Sequence, residues 1–285
     1  MNCGLIVVLF NPDIAHVQGI IDGFVDPQWR IYLVDNSPIA HQFNLPAHAE
    51  YLHFPNNEGI AKAQNEGLKR AFDCVDYAFL LDQDSHFSAD MAAKLLSQFV
   101  SLERANPVAA IGPSIHCEFS RKKVEGKLQK GKQITKDLKE VKQIIASGML
   151  LSQQAFHEVG EKESDLFIDG VDHEWCWRAK ERGWRVYQSL SVCMPHRQGD
   201  DRVRIAGVTF KKGAPIRLYY QMRNLLVLSR RPYVPLYWKF RHLTAIPLRY
   251  LVNRYCFENG KRRGQLMRKG LYDGIRAKKG KVVSP

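Results

Sequence analysis

The chain has 285 residues, 45% hydrophobic and 25% charged, with a formal net charge of +13; this suits one large α/β domain with extensions, or two small domains, and excludes a disordered or fibrous chain. No apolar run reaches the roughly 18 residues of a membrane span. The opening MNCGLIVVLFNPD reads as a first strand rather than a signal peptide, and six scattered cysteines without a Cys-X-X-Cys pair read as reduced thiols of a cytoplasmic protein, not as a zinc site.

In chain order, residues 5–9 form a continuous apolar strand, followed by a turn at Phe10-Asn11-Pro12 and a helix for which Asp13 is a fitting N-cap. A second apolar strand ends on Asp35 and runs into Asn36-Ser37-Pro38. A shorter third strand, 50–54, leads through Pro55-Asn56-Asn57-Glu58-Gly59 to a helix on which Ile60, Ala61, Leu68, Ala71 and Phe72 recur at helical spacing. Residues 77–81 then form a strand that stops at Asp82-Gln83-Asp84. Four strand-then-helix alternations within about 90 residues predict a largely parallel, nucleotide-binding type of sheet, whose ligands lie at the carboxyl edge of the strands. No G-x-G-x-x-G or G-x-x-x-x-G-K loop is present, which disfavours dinucleotide and P-loop readings.

Asp82 and Asp84 at such an edge suit a divalent cation, because two close carboxylates in a dry site need a positive partner and Mg²⁺ accepts one or two of them beside phosphate oxygens. Taken alone the motif reads more readily as a solvated acidic turn with Ser85 capping the next helix. A helix over 88–101 and a strand over 109–115 follow. Residues 121–142 carry nine basic and three acidic residues with few large apolar ones, and read as a mobile surface loop or lid. A buried strand is predicted over 144–151, with Ser147-Gly148 where backbone can approach a ligand closely.

In the run FIDGVDHEWCWR, 167–178, Asp172 can cap a helix whose apolar face is Trp175, Cys176 and Ala179; Asp172 and Glu174 fit a first helical turn whether or not they do chemistry. Strands over 184–189 and 192–196 bring His196 to another strand end, and a helix starts at Pro215. Residues 229–285 hold 15 Lys and Arg against Glu258 and Asp273, so they carry the whole net charge, while 1–228 balance at 27 of each sign. There, Tyr233, Leu236, Tyr237, Trp238, Phe240, Leu243, Ile246 and Leu248 interleave with Lys239, Arg241, Arg249 and Arg254. Such a mixture suits shallow docking on an anionic membrane, or an extra helical layer with a charged outer face.

The motifs LFNP (9–12), VDNS (34–37), NNEGIAKAQNEG (56–67), LLDQDS (80–85), SGMLLS (147–152), FIDGVDHEWCWRA (167–179), PH (195–196) and YYQMRN (219–224) together resemble, in their order, the inverting nucleotide-sugar glycosyltransferases of family 2, nearest to bacterial rhamnosyltransferases of O-antigen and other surface polysaccharides. The resemblance implies a GT-A fold: a Rossmann-like, mixed, mostly parallel sheet flanked by helices over 1–228. Within it a donor half would span about 1–115, a mobile basic loop about 116–143 and an acceptor half about 144–228, with a basic amphipathic helical region over 229–285.

The resemblance further implies that Phe10, Asn11, Asp35, Asn57, Gly59, Asp82 and Gln83 bind the donor nucleotide. Asp84, with His196 as a further ligand, would hold Mg²⁺ or Mn²⁺ on its diphosphate. Asp172 would be the general base, and Ser147, Gly148, His173, Glu174 and Trp175 would line the sugar and acceptor side. The implied donor is dTDP-rhamnose, or else a UDP-sugar such as UDP-galactofuranose or UDP-glucose; the implied acceptor is a lipid-diphosphate-linked saccharide at the inner face of the cell membrane. Two other classes fit less of the chain. A haloacid-dehalogenase-type phosphatase would need a second acidic motif, for which Gly199-Asp200-Asp201 follows a polar turn rather than a strand. A nucleic-acid-binding role for the basic tail would leave Asp82, Asp84 and Asp172 unexplained.

Overall fold

The structure, a computed structural model, describes residues 2–117, 122–123, 131–196, 201–205 and 208–282. In chain order these form β1 (Cys3–Leu9), α1 (Ile14–Asp22), β2 (Trp29–Asp35), β3 (Ala49–His53), α2 (Ile60–Phe72), β4 (Tyr77–Asp82), α3 (Ala89–Glu103), β5 (Val108–Cys117), β6 (Lys122–Lys123), β7 (Lys132–Thr135), β8 (Leu138–Val141) and β9 (Met149–Ser152). Then come α4 (Gln153–Val159), a 3-10 turn (Ser164–Leu166), α5 (Val171–Glu181), β10 (Arg185–His196), β11 (Asp201–Ile205), β12 (Val208–Lys212), α6 (Pro215–Ser229), α7 (Leu236–Thr244), α8 (Ile246–Tyr255) and α9 (Gly260–Ile275).

The main sheet has the order β3-β2-β1-β4-β9-β5-β10-β8-β7, with β6 beside β5. Strands β3, β2, β1 and β4 are parallel as predicted, but only three of the four expected alternations form, because residues 36–48 join β2 to β3 without a helix. Strand β9 enters antiparallel between β4 and β5, which makes the sheet mixed. Strands β1, β2 and β4 read as near-continuous apolar runs because both faces are covered, whereas the edge strand β3 carries Glu50 and His53 and is only partly buried. On one face Leu5, Val7, Leu33 and Phe79 pack with Val17 and Ile21 of α1 and Leu95 and Phe99 of α3. On the other, Ile6, Val34, Ala78 and Leu80 pack with α2, α4 and α5 through Leu68, Phe156 and Trp175. Asp13 caps α1 and Ser88 caps α3, so Ser85 does not take that part; its hydroxyl instead accepts the Asp82 amide at 3.1 Å.

Several boundaries differ from the sequence reading. The strand expected over 144–151 shrinks to β9, because Ala146 and Ser147 turn towards two carboxylates and Gly148 already bonds Leu80. The two strands expected over 184–196 are one strand with a bulge between Gln188 and Cys193. Part of the stretch read as a basic loop forms a hairpin of β7 and β8, joined antiparallel to β10 with Leu138 buried; residues 118–121 and 124–130 lie outside the described residues. Charge hid the hairpin because an edge pair satisfies its backbone while its side chains face solvent.

The basic C-terminal residues continue the packing of the domain. Helix α9 lies along α6 at close approach: a Cβ on Gly270 would sit 2.3 Å from the Tyr219 carbonyl oxygen, so only glycine fits there. Met267 is buried with Leu218 and Met222, and the Tyr219 hydroxyl donates to Asp273 at 2.9 Å. Trp238 of α7 packs edge-on against Trp177 of α5. No helix among the described residues is long and apolar enough to cross a membrane.

Candidate active site

Strand register brings the predicted acids together. Leu9 stands beside Asp35 across β1 and β2, and Val8 beside Asp82 across β1 and β4, so three strand ends meet at one carboxyl edge. The loop after β1 crosses this edge. Its Phe10 amide donates to Gln83 Oε1 at 2.6 Å, Gln83 Nε2 returns a bond to the Phe10 carbonyl at 3.2 Å, and the Asn11 amide donates to Ser37 Oγ at 2.7 Å. Asn11 accordingly holds φ at 46°, a left-handed conformation that asparagine tolerates. Phe10 keeps 46% of its surface exposed, a large apolar face turned to solvent at a site.

Asp35 is wholly buried with both oxygens engaged. The Ser37 amide donates to Oδ1 at 2.8 Å, while the Tyr51 hydroxyl and His41 Nδ1 each lie 2.7 Å from Oδ2. Burial opposes its charge, but these hydrogen bonds outweigh burial and hold the carboxyl below its usual range. Burial and the bond to Asp35 push the Tyr51 phenol up to about 12. Asp35 therefore organises His41 and Tyr51 at the strand end rather than facing solvent itself.

The loop before α2 is fixed by Asn36, whose side chain accepts the Glu58 amide and donates to the Gly59 carbonyl. Asn57 Oδ1 accepts the Gly59 amide at 3.1 Å. Gly59 has φ 87°, and a Cβ there would lie 2.6 Å from the Phe167 ring, so the loop lies flat against the FID segment only with glycine. The Ile60 amide completes the join by donating to the Phe167 carbonyl at 2.9 Å.

Asp82 and Asp172 come from β4 and α5, and consecutive residues tie them. The Ser147 hydroxyl donates to Asp82 Oδ2, and the Ala146 amide donates to Asp172 Oδ2 at 3.0 Å. Asp172 Oδ1 receives Lys162 Nζ at 2.9 Å; the Asp172 side chain is 23% exposed and that of Lys162 not at all. Asp172 is the second residue of α5 rather than its N-cap, which is Gly170 in a left-handed conformation. Next to it, His173 Nδ1 lies 3.2 Å from Gln143 Nε2, and burial holds the imidazole below its usual range against the pull of Asp172.

Two residues read from sequence as acceptor contacts face inwards. Glu174 is wholly buried, bound by Arg178 at 2.8 Å, the Tyr233 hydroxyl at 2.7 Å and Arg231 at 3.2 Å. Trp175 is buried against the sheet, donating its indole N–H to the Gly160 carbonyl at 2.8 Å. Both hold α5 in place from behind. Helix geometry explains Glu174, which two positions on from Asp172 points to another face; Trp175, three positions on, shares the Asp172 side but lies deeper, with Lys162 over its ring at 5.8 Å.

Asp84 is exposed in the turn after β4. His196 ends β10 beside Cys117, and its side chain lies outside the described residues. Among the described residues no three His, Cys, Asp or Glu side chains gather as a metal cage. One exposed carboxylate suits a cation carried on a diphosphate, since Mg²⁺ keeps few protein ligands and fills its shell with water and phosphate oxygens.

Sequence reasoning assigned no role to Lys162, Arg223 or Asn224. The buried Asn224 donates its side-chain amide to the carbonyls of Leu166, Ile168 and Asp169 at 3.0, 2.7 and 2.8 Å, and Arg223 donates to Asp165 and Leu166. They hold the segment that delivers Asp172, where Phe167 and Asp169 both have φ near 65°. A polar pair amid the apolar face of α6 was the available signal, because buried polar groups are there to bond something. Lys162 sits in the run GEKESD and offers no periodic signal.

Residues 17–160 match the family model described as Glycosyl transferase family 2. A dTDP-rhamnosyl transferase, RfbF, of Shigella flexneri is 30% identical over 253 residues, covering 85% of this chain and 84% of the relative. Among solved structures, GalNAc-T7 with UDP, GalNAc and Mn²⁺ superposes with a TM-score of 0.57 at 13% identity, over 90% of this chain. TarS of S. aureus gives a TM-score of 0.50 at 12% identity over 97% of this chain. The chain spans 58% and 49% of those two structures' lengths, and at such identities the likeness concerns the fold alone.

Proposed function

The chain belongs to glycosyl transferase family 2, with a GT-A-like fold, and from that premise we propose that it moves L-rhamnose from dTDP-rhamnose to a saccharide acceptor with inversion at the anomeric carbon. The observation that carries this reading is the joining of Asp82 and Asp172 at one sheet edge through Ser147 and Ala146. The donor's kind follows the dTDP-rhamnosyl transferase relative, which matches across 84% of its own length.

The nucleoside rests on Phe10 and Asn11, with Asp35, His41 and Tyr51 beneath, Asn57 and Gly59 alongside, and Asp82 and Gln83 at the ribose. Asp172 uses its solvent-facing edge to take the proton from an acceptor hydroxyl as that oxygen bonds the anomeric carbon. The bond from that carbon to the diphosphate breaks in the same step, and the diphosphate leaves with the electron pair. Asp84, with His196, would hold a Mg²⁺ or Mn²⁺ ion, which when bound supplies positive charge to the departing diphosphate. Glu174 and Trp175, both buried, support α5, and Ser147 and Gly148, buried as well, support the edge beside Asp82, so that His173, which is partly exposed, is the proposed contact of the transferred sugar.

The acceptor's lipid-diphosphate link and a place at the inner membrane face rest on the C-terminal helices. Leu236 and Phe240 on α7 are 79% and 73% exposed, and Leu248, Leu251 and Tyr255 on α8 are also open to solvent, within the residues that carry the whole net charge. One face that is both apolar and basic suits an anionic lipid surface.

Calorimetric titration with dTDP and UDP, with and without Mg²⁺ or Mn²⁺, tests the reading beside Asp84→Ala. Metal-dependent binding of dTDP over UDP, lost in the variant, is expected. Preference for UDP would replace the rhamnosyl donor with a UDP-sugar such as UDP-galactofuranose or UDP-glucose, and no nucleotide binding would overturn the proposal.

A further inference from the structure

Lys162 takes no part in the reaction as drawn, yet it is the most unusual ion of the site. Its side chain is wholly buried, its Nζ stands 2.9 Å from Asp172 Oδ1, and the Met149 sulfur lies at 3.9 Å and the Trp175 ring at 5.8 Å. A thioether and an indole face solvate an ammonium weakly, so the cost of burying this charge is met mainly by Asp172. The backbone of Lys162 is held just as firmly. Its amide donates to Asn65 Oδ1 at 2.9 Å and its carbonyl accepts from Asn65 Nδ2 at 2.8 Å, and Asn65 is itself buried on α2, the helix that opens at Gly59.

From these contacts we infer that Lys162 is the positioning residue for Asp172: with the Ala146 amide on Oδ2, it pins the carboxylate in one orientation and leaves the solvent-facing edge to the acceptor hydroxyl. The chain of contacts runs from α2 through Asn65 and Lys162 to Asp172, so the placing of the base is tied to the helix that flanks the donor loop. The inference rests on the assignment of Asp172 as general base. A displacement of about 1 Å in a reacting group costs on the order of 10²-fold in rate, which sets the size of the effect.

The test uses Lys162→Met, Asp172→Asn and the double variant, with kcat, donor KM, nucleotide affinity and Tm read for each. Methionine matches the length of the lysine stem and is at home in an apolar pocket, so Lys162→Met should keep its Tm and its nucleotide affinity while kcat falls on the order of 10- to 100-fold. Asp172→Asn should lower Tm by stranding the buried ammonium, and adding Lys162→Met should restore it. Unchanged kcat in Lys162→Met, or a fall in kcat matched by falls in nucleotide affinity and Tm, would overturn the inference. If the unaltered protein transfers no sugar from any nucleotide donor, the reading of Asp172 as base fails and the inference with it, while the Tm pattern still reports whether the pair exists.

Discussion

The Ala146 amide reaches Asp172 Oδ2 at 3.0 Å, and its neighbour Ser147 gives its hydroxyl to Asp82. One turn thus sets the spacing of two carboxylates that come from opposite halves of the domain. Ser147→Ala removes one of these ties and leaves the other. It should lower kcat/KM on the order of tenfold, with a stability loss of about 0.5–1.5 kcal/mol, the usual worth of one hydrogen bond. Steady-state kinetics beside urea unfolding decide; an activity at the wild-type level would show that the Asp82 orientation does not matter.

Asn224 on α6 bonds three carbonyls of the segment that leads into α5. Asn224→Leu keeps the volume and strands those acceptors in the interior. The expected cost is about 1–3 kcal/mol in unfolding free energy, with a loss of turnover larger than the loss of nucleotide affinity, since the segment delivers Asp172. Equal stability in urea would contradict the bonding described for α6.

Much of this was open to reading from the chain. Strands β1, β2 and β4 show themselves because sheets covered on both faces demand apolar runs, and Asp35 and Asp82 stand out because each ends one. The apolar run over 144–151 predicts a strand that starts earlier than β9 does, because Ile144 and Ala146 are apolar and buried yet lead into the turn that serves the acids. Periodicity cannot separate a buried turn from a buried strand. Lys162 was invisible because a lysine amid Glu and Ser reads as surface, and only the fold reveals that its partner lies ten residues on. Glu174 reads from sequence as a site residue for the same reason in reverse, because its partners Arg231 and Tyr233 lie far along the chain.

The helix α7 lends the protein a dependence on acidity. Burial, reinforced by Arg249, Arg241 and His173, lowers His242 to about 4, and its ring packs on Trp238. An unfolded histidine takes its proton near 6.5, so on acidification the unfolded chain binds protons before the folded one does. Stability from this group is therefore complete above about pH 6.5 and is lost as pH falls towards 4. The Asp35 carboxyl, held low, adds a loss of the same sign only below about pH 4. Tm followed from pH 7 to pH 4 should fall, and His242→Phe should flatten the curve; an identical slope in the variant would remove His242 as a cause.

Membrane association rests on the open faces of α7 and α8. The protein should sediment with vesicles of acidic lipid at physiological salt and less so as salt rises, because the attraction is screened. Leu236→Ser with Phe240→Ser should weaken sedimentation while leaving nucleotide binding intact, as these side chains are 79% and 73% exposed. Failure of the unaltered protein to sediment would end the idea of docking and leave α7 and α8 as an outer layer of the domain.

The role of Asp172 is tested most directly by the turnover of Asp172→Asn with dTDP-rhamnose and a saccharide acceptor, set beside its affinity for dTDP. Asparagine keeps the shape and cannot accept the proton as a carboxylate does. Near-normal dTDP binding is expected, with turnover reduced on the order of 10²–10⁴-fold, the usual worth of a general base. Turnover at the wild-type level in Asp172→Asn would contradict this role and move the base elsewhere.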